Sequence, residues 1–299
     1  MIQHKRAPIL VYFVFAIFFV HSCALLQPTA ELENQADAAW EAGNFEEAFG
    51  LYEQIIEAHQ SREQAVDGVL LNRAGISAWE SGETQKALEY LELARHTADA
   101  DAATFATLAK AYREVDNLSR EITNLERYVE RFPDGPEVKA LRNRLFMTLV
   151  ESLNWQQAKD LWADLGGDPY QDEEMLTAYL QVNRALDDVE KSAAIAEQLL
   201  DLNRNNQEAL DFLGRMHFDQ AVSLYNREMR AYEQNRTHRQ YAQLLEALEI
   251  TNTDFRIALN YFERLYALDP KPEYATFLAN IYERFQDEER ARYYRQRAR

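Results

Sequence analysis

The chain has 299 residues, of which 47% are hydrophobic, and it contains only 9 glycines and 7 prolines. This composition has too few turn-forming residues for an all-β protein and is too apolar for a disordered chain. The formal net charge of -18 opposes binding to nucleic acid phosphates and to anionic lipid surfaces. The single cysteine, Cys23, excludes both an intramolecular disulfide framework and a zinc site built on cysteines.

Residues 1–22 have the pattern of a secretory signal segment. The basic stretch His4-Lys5-Arg6 precedes an uninterrupted apolar run over residues 9–20. These twelve apolar residues are too few to cross a bilayer comfortably as a helix, but they suit the apolar region of a signal peptide. We therefore predict that residues 1–22 direct the chain to export.

The residues around the cysteine indicate how this segment is removed. Val20-His21-Ser22-Cys23 resembles the lipobox of bacterial lipoproteins, in which an aliphatic and a small residue precede the lipidated cysteine. The resemblance implies cleavage before Cys23, a lipid on its sulfur and, because Ala24 follows, sorting to the outer membrane. The alternatives are cleavage after Ala24 without a lipid and an uncleaved anchor. Residues 23–30 then form a short tether.

From residue 31 onward, short amphipathic segments separated by turns recur along the chain. The turns begin at Gly43, Gly82, Asp116, Leu153, Asp187, Thr253 and Gln286. Five positions after each turn start stands a mostly small residue: Ala48, Ala87, Glu121, Ala158, Ser192, Ala258 and Ala291. The preceding segments carry a second small residue at Ala36, Gly75, Ala109, Gly214 and Ala279. Small residues at these positions predict closely crossing helices, whereas Phe146 and Leu180 predict irregular fourth and fifth units.

The period and the pattern together resemble the tetratricopeptide repeat, or TPR. The best-matching segments are Gly43–Ala48 and Ala258–Pro270, and the resemblance covers about residues 31–299 apart from one insertion. Periodicity itself predicts only paired amphipathic helices. The resemblance implies an all-α fold, an α-α superhelix (TPR solenoid) with a concave groove. We expect helix pairs one to five in residues 31–206, a sixth pair in 207–270 and a C-terminal pair or cap in 271–299.

One interval between turns is 66 residues long, about twice the others. Within it, apolar residues recur in heptads at Phe218, Val222, Tyr225, Met229, Tyr232, Tyr241, Leu245, Leu248, Phe255, Leu259, Phe262 and Tyr266. We predict that the sixth pair is extended into a long antiparallel helical hairpin, with the aromatic residues buried in its seam. The alternatives are a hidden extra repeat and a new helix capped at Thr251–Asp254. A further possibility is that the hairpin docks a partner.

Residue patterns that carry chemistry are missing from the sequence. Gly166-Gly167-Asp168-Pro169 lacks the lysine and hydroxyl of a phosphate-binding loop. After residue 22, no histidine has a second one three or four positions away, as a helical metal pair requires. The acidic cluster at Asp168 and 172–174 lacks the spacing of a calcium loop. We therefore predict no catalytic residues, no metal site, no cofactor and no enzymatic activity.

A candidate binding groove follows from the resemblance, because the first helix of each pair lines the groove in TPR proteins. Mapping each helix by its crossing residue places these residues there: Asn72, Arg73, Trp79, Lys110, Arg113, Asn143 and Arg144. Arg and Asn side chains loosely resemble the carboxylate clamp that some TPR proteins use for peptide C-termini. The alternative is that they are ordinary exposed helix residues.

We predict a non-catalytic scaffold or adaptor lipoprotein of the bacterial cell envelope. It would bind protein partners within an outer-membrane or secretion assembly, contact the membrane only through its lipid and bind no nucleic acid. The alternative is a periplasmic peptide- or glycan-binding module that feeds a transporter or a remodelling enzyme. A third hypothesis is a structural protein that dimerises through the hairpin.

Overall fold

A computed structural model describes residues 29–166 and 168–298. The predicted signal segment, the lipidation site Cys23 and most of the predicted tether lie outside these residues. The first helix begins at Thr29, so the last two residues of the predicted tether are helical.

The described residues form seven helix pairs and contain no β-strand. The first four pairs are α1 (Thr29–Glu41) with α2 (Phe45–Ser61), α3 (Gly68–Glu80) with α4 (Thr84–Ala94), α5 (Ala102–Glu114) with α6 (Leu118–Arg131), and α7 (Val138–Glu151) with α8 (Trp155–Trp162). A short 3-10 helix, Asp168–Gln171, follows α8. The last three pairs are α9 (Glu173–Ala185) with α10 (Val189–Leu202), α11 (Gln207–Gln234) with α12 (His238–Leu268), and α13 (Pro272–Arg284) with α14 (Glu288–Arg297).

Six of the seven predicted turn starts have a left-handed backbone. They are Gly43, Gly82, Asp116, Leu153, Asp187 and Gln286, with φ between 55° and 84°. In each turn the following N–H donates to a carbonyl five residues back, for example from Asn117 to Tyr112 over 2.8 Å. This bond satisfies a carbonyl left free at the helix end. The pairs are therefore closed by one repeated turn geometry.

The small residues predicted at the helix crossings are buried. Ala48, Ala87, Ala158 and Ala258 are fully inaccessible. A Cβ built on Gly75 would lie 2.5 Å from Cγ of Leu91, so only glycine fits where α3 meets α4. Close crossing of the two helices in a pair thus depends on these side chains.

The fourth and fifth units pack differently, as Phe146 and Leu180 predict. Both residues are fully buried at positions where the other units have a small residue. The Phe146 ring contacts Trp162 at 4.9 Å between centroids, and Trp162 stacks on Tyr179 at 4.1 Å. The helix that ends at Trp162, α8, has only 8 residues. Aromatic packing therefore replaces close helix crossing in this part of the array.

Neighbouring pairs stack in chain order, each even-numbered helix contacting the odd-numbered helix that follows. Odd-numbered helices also contact one another across units, as α3 with α5, α7 with α9 and α9 with α11. These contacts place the odd-numbered helices along the inner face of the array.

The long interval holds a hairpin of two continuous helices, which confirms the predicted insertion. Its helices α11 and α12 have 28 and 31 residues, against 13 in α9. Thr251–Asp254 lies within α12, so no new helix begins there and the prediction of a turn at Thr253 is wrong. At the tip, the Thr237 side chain accepts a hydrogen bond from the Gln240 N–H at 3.2 Å and caps α12.

The prediction that aromatic residues fill the hairpin seam is wrong for its outer half. Residues buried along α12 are Leu244, Ala247, Thr251, Phe255, Ala258, Phe262 and Leu265. Tyr241 and Leu245 are instead exposed, and Tyr225, Met229 and Tyr232 are half-buried. Small seam residues such as Ala221 and Ala247 let the helices approach closely, so the large side chains lie beside the seam.

Candidate functional site

Two of the predicted groove residues bind the unit next to their own. The buried Asn72 accepts a hydrogen bond from Thr104 Oγ1 at 2.9 Å, which connects α3 to α5. Arg73 Nη1 lies 2.5 Å from Asp37 Oδ1, and the same oxygen accepts a hydrogen bond from Tyr52 at 2.7 Å. These contacts join the first three units along the inner face.

The Asp37 cluster shifts the ionisation of its members. Burial works to raise the pKa of Asp37, but the hydrogen bonds from Tyr52 and Arg73 hold it below its ordinary value. Burial and the bond to Asp37 raise the pKa of the Tyr52 hydroxyl. At neutral pH Asp37 is therefore an ionised acceptor that holds both donors.

The predicted groove cations of the third and fourth units also form ion pairs with carboxylates of this chain. Lys110 Nζ lies 3.1 Å from Glu137. Arg144 binds Glu121 at 2.7 Å and Glu151 at 2.9 Å. Arg113 lies 3.4 Å from Glu151. The structure thus brings Arg113 and Arg144 together around two shared acids.

Glu121 is the central acid of this network. It stands at the crossing position that is alanine in five other units, and only 1% of its side chain is exposed. Burial raises the pKa of the Glu121 carboxyl, while the charge of Arg113 works in the opposite direction. A buried carboxylate needs a close cation, and Arg144 supplies one from the next unit.

The remaining groove candidates are partly buried. Trp79 is packed against the buried core that the second and third units share. Asn143 is half-buried on α7. The binding role of the seven predicted residues stays a prediction, and the four cations among them are held by carboxylates of this chain.

Sequence reasoning missed a cleft between α7 and α9 on the inner face. The cleft has a volume of about 670 Å³. Its apolar lining residues are Met147, Val150, Leu153, Trp155 and Ala178, and its polar lining residues are Glu151, Glu173, Glu174, Thr177 and Gln181. Volumes of this size are typical of ligand-binding pockets. The cleft lies in the irregular units, where α8 is short.

Leu153 is the residue in this cleft that the sequence could have marked. It occupies a turn start with φ 60°, a backbone conformation that costs a non-glycine residue about 1–2 kcal/mol. Its side chain is 65% exposed, the largest value among the exposed large apolar residues described. The other left-handed turn starts are glycine, aspartate or glutamine. An exposed leucine in a strained position points to a role outside folding.

The cleft rim is acidic. Glu173 accepts hydrogen bonds from the side-chain amides of Asn203 and Asn206, at 2.7 and 2.9 Å, and these donors carry no charge. Glu174 is exposed and has no ion-pair partner within the described ranges. Within the described ranges, neither carboxylate has a cationic side chain as a partner. The cleft therefore combines an apolar floor with negative charge.

Neither a metal centre nor a membrane span emerges from residues 29–166 and 168–298. No group of three or more His, Cys, Asp or Glu side chains there is arranged to hold a metal ion. None of the helices in those ranges has the length and apolar character needed to cross a bilayer.

Comparison with known proteins identifies the fold. No protein-family model matches the sequence, and no curated protein matches it either. The C-terminal part of a TPR repeat-containing protein from Cytophaga hutchinsonii is similar over 89% of this chain and 93% of that chain, with 14% identity and a TM-score of 0.51. This similarity, with the repeated helix pairs, shows that the chain has the TPR solenoid fold, as predicted.

Two further solved structures have lower TM-scores. YrrB, described as a TPR protein with an unusual peptide-binding site, is similar over 62% of this chain and 91% of its own, with 16% identity and a TM-score of 0.48. A tetratricopeptide repeat protein from Parabacteroides merdae is similar over 90% of this chain and 91% of its own, with 12% identity and a TM-score of 0.42.

Proposed function

We propose that this chain is a non-catalytic scaffold whose inner face binds a segment of a partner protein. The observation that carries this proposal is the cleft between α7 and α9, which is open, apolar at its floor and acidic at its rim. Repeat arrays expose such inner surfaces along their length, and their stability comes from stacking between neighbours. Side chains on the inner face that take no part in this stacking are therefore available for binding.

The cleft indicates the chemistry of the partner segment. Met147, Leu153 and Trp155 would cover one bulky apolar side chain. Glu173 and Glu174 would attract a lysine or arginine beside it, which suits a chain of net charge -18. We therefore propose a segment with a large apolar residue next to a basic residue.

The place of action belongs to the same proposal. The basic stretch, the apolar run and the lipobox-like residues before Cys23 support export and lipid attachment in a bacterial envelope. The scaffold would then serve an outer-membrane or secretion assembly from a lipid anchor. Mass spectrometry of the mature N-terminal peptide should find Cys23 first and carrying lipid. An N-terminus after Ala24, or a free Cys23 thiol, would contradict the anchor.

Leu153 allows binding to be separated from folding. Leu153→Gly removes the exposed side chain and relieves the left-handed backbone, so we expect equal or higher thermal stability together with weaker partner binding. The measurements are the melting temperature and recovery of the partner from membrane extracts. Leu93→Gly is unsuitable as a control because it weakens a helix, so the matched control is Leu93→Glu, an exposed leucine on α4.

A second variant locates the site within the inner face. Trp155→Ala should reduce recovery of the same partner, whereas the control Leu93→Glu should not. Lys110→Met tests the predicted cation groove in parallel. If Lys110→Met abolishes recovery while Leu153→Gly and Trp155→Ala leave it unchanged, the partner binds at the cations and the cleft proposal fails.

A further inference from the structure

Among the described residues, the outer part of the hairpin packs against no core beyond its own seam. The core cluster of the last two units reaches along the hairpin only to Val222 and Phe255. We call residues 223–254 the arm. Within the arm only Leu244, Ala247 and Thr251 are buried. Two helices provide a single shared seam, and in this arm most of the seam is filled by small side chains.

Six of the large apolar side chains of the arm are gathered on one side. We call this set the apolar flank: Tyr225, Met229, Tyr232, Tyr241, Leu245 and Leu248. Its α11 and α12 members are each spaced by four and three residues, so each set lies on one helix face. Near the tip, the Tyr232 and Tyr241 rings contact at 5.8 Å. Near the base, Tyr225 and Leu248 line one depression.

The rest of the array covers only the base of this flank. Asn280, Glu283 and Arg284 of α13 border the depression at Tyr225 and Leu248. The Arg284 guanidinium lies 4.2 Å from the centre of the Tyr225 ring. Farther out, Tyr241 is 49% and Leu245 47% exposed. The apolar flank therefore continues from the array into solvent.

Charge is distributed unevenly along the arm. Arg230, Arg236 and Arg239 lie near the tip together with one acid, Glu233, and within the described ranges none of the three arginines has a carboxylate partner. Glu249 lies closer to the base, four residues after Leu245, whereas Glu246 lies on the opposite side with Ile250. Neither glutamate has a cation partner in the described part of the chain. The tip is thus positive and the base negative, which makes the arm complementary to itself when reversed.

We propose that the arm pairs with the arm of a second copy of this chain, flank against flank and antiparallel. The two hairpins would form a four-helix bundle in which the apolar flanks make the central layer. A twofold axis near Met229 and Leu245 would bring Tyr232 and Tyr241 of one copy onto Tyr225 and Leu248 of the other. The antiparallel order places Arg236 and Arg239 of one copy near Glu249 of the other, whereas a parallel order would bring like charges together.

Two exposed residues of α12 give a matched test of this dimer. Leu245 lies in the centre of the apolar flank and Ile250, which is 51% exposed, lies on the other side with Leu224 and Gln243. The wild-type chain should show a concentration-dependent dimer mass by light scattering and sedimentation. Leu245→Glu should weaken dimerisation about a hundredfold, and Ile250→Glu should leave it unchanged. Equal melting temperatures of the two variants, measured in dilute monomeric samples, would show that both fold.

The charge pattern tests the orientation. Reversing Arg236 and Arg239 to glutamate should weaken dimerisation about tenfold. Adding Glu249→Arg to that variant should restore dimerisation in part, whereas adding Glu246→Arg, on the side of Ile250, should not. A wild-type chain that stays monomeric at the highest concentrations reached would overturn the proposal, as would a dimer that survives Leu245→Glu. Failure of the reversed charges to restore dimerisation would overturn the antiparallel arrangement. Binding of a monomer to phosphatidylglycerol vesicles through the tip arginines would show a lipid occupant instead.

Discussion

The cations of the inner face and those of the arm are the same residue types in opposite situations. Arg73, Lys110 and Arg144 each lie within 3.1 Å of a carboxylate of their own chain. Arg236 and Arg239 of the arm have no such partner within the described ranges. The first set connects units of the array, and the second set is available to pair with a carboxylate of another molecule.

The two regions also differ in how they treat large apolar side chains. In the fourth and fifth units Phe146, Trp162 and Tyr179 are buried against one another. In the arm Tyr241 and Leu245 are exposed although they belong to a heptad pattern. Residue type alone therefore does not mark an interaction surface. Groups left without a partner inside the chain mark it better.

The two regions should differ most in how much an aromatic-to-alanine substitution lowers the free energy of unfolding. Trp162→Ala removes a buried ring that contacts three aromatic side chains and should lower the free energy of unfolding by about 3–5 kcal/mol. Tyr241→Ala in the arm should cost less than about 1 kcal/mol in the monomer. Urea denaturation measures both.

Trp162→Phe is the control for this comparison. The Trp162 Nε1 atom is buried without a hydrogen-bond partner within the described ranges, so phenylalanine loses volume but no bond. A cost as small for Trp162→Ala as for Tyr241→Ala would mean that the irregular units are not a packed core.

Ion pairing should give the next largest effect. Arg144→Ala leaves the buried Glu121 without its nearest cation, and we expect a loss of about 2–3 kcal/mol, moderated by the remaining Arg113. Arg239→Ala in the arm should change unfolding by less than about 0.5 kcal/mol.

A double substitution sharpens this prediction. Glu121→Ala introduces the residue that other units have at this crossing, so Arg144→Ala with Glu121→Ala should recover most of the loss. Additive costs in the double-mutant cycle would show that the two side chains do not act as a pair.

The smallest effect concerns pH. The folded-state pKa of Asp37 lies below its ordinary value of 3.8 because Tyr52 and Arg73 bind its charged form. The stabilisation is therefore complete above the ordinary pKa and disappears as pH falls through the folded-state pKa. We expect less than about 1 kcal/mol, because the pair is more than a third exposed.

Asp37→Asn should flatten the dependence of unfolding free energy on pH below about 4. If Asp37→Asn and the wild type show the same dependence of unfolding free energy on acidic pH, Asp37 is not held in its charged form. Substitutions in the arm should leave the dependence of unfolding free energy on acidic pH unchanged.

The sequence predicted the repeat well where single residues decide local geometry. Gly43 and Gly82 begin turns because glycine accepts a left-handed backbone, and Ala87 and Ala258 mark crossings because only small side chains fit there. Continuity of the hairpin followed from its unbroken heptads. The register of its seam did not, since Tyr241 and Leu244 are both apolar and only helix packing selects between them.

The candidate site was less predictable because it depends on partners from different units. Arg144 looked available in sequence, but the fold brings Glu121 from 23 residues away to 2.7 Å. The α7–α9 cleft arises from a short α8 and bulky crossing residues, and its lining comes from three helices.

The formation of helix pairs, their turns and their crossings follow from the sequence, because backbone conformation and side-chain size act locally along the chain. Which charges are neutralised and which apolar faces stay open follows from the folded arrangement, because those outcomes depend on distances between residues far apart in sequence.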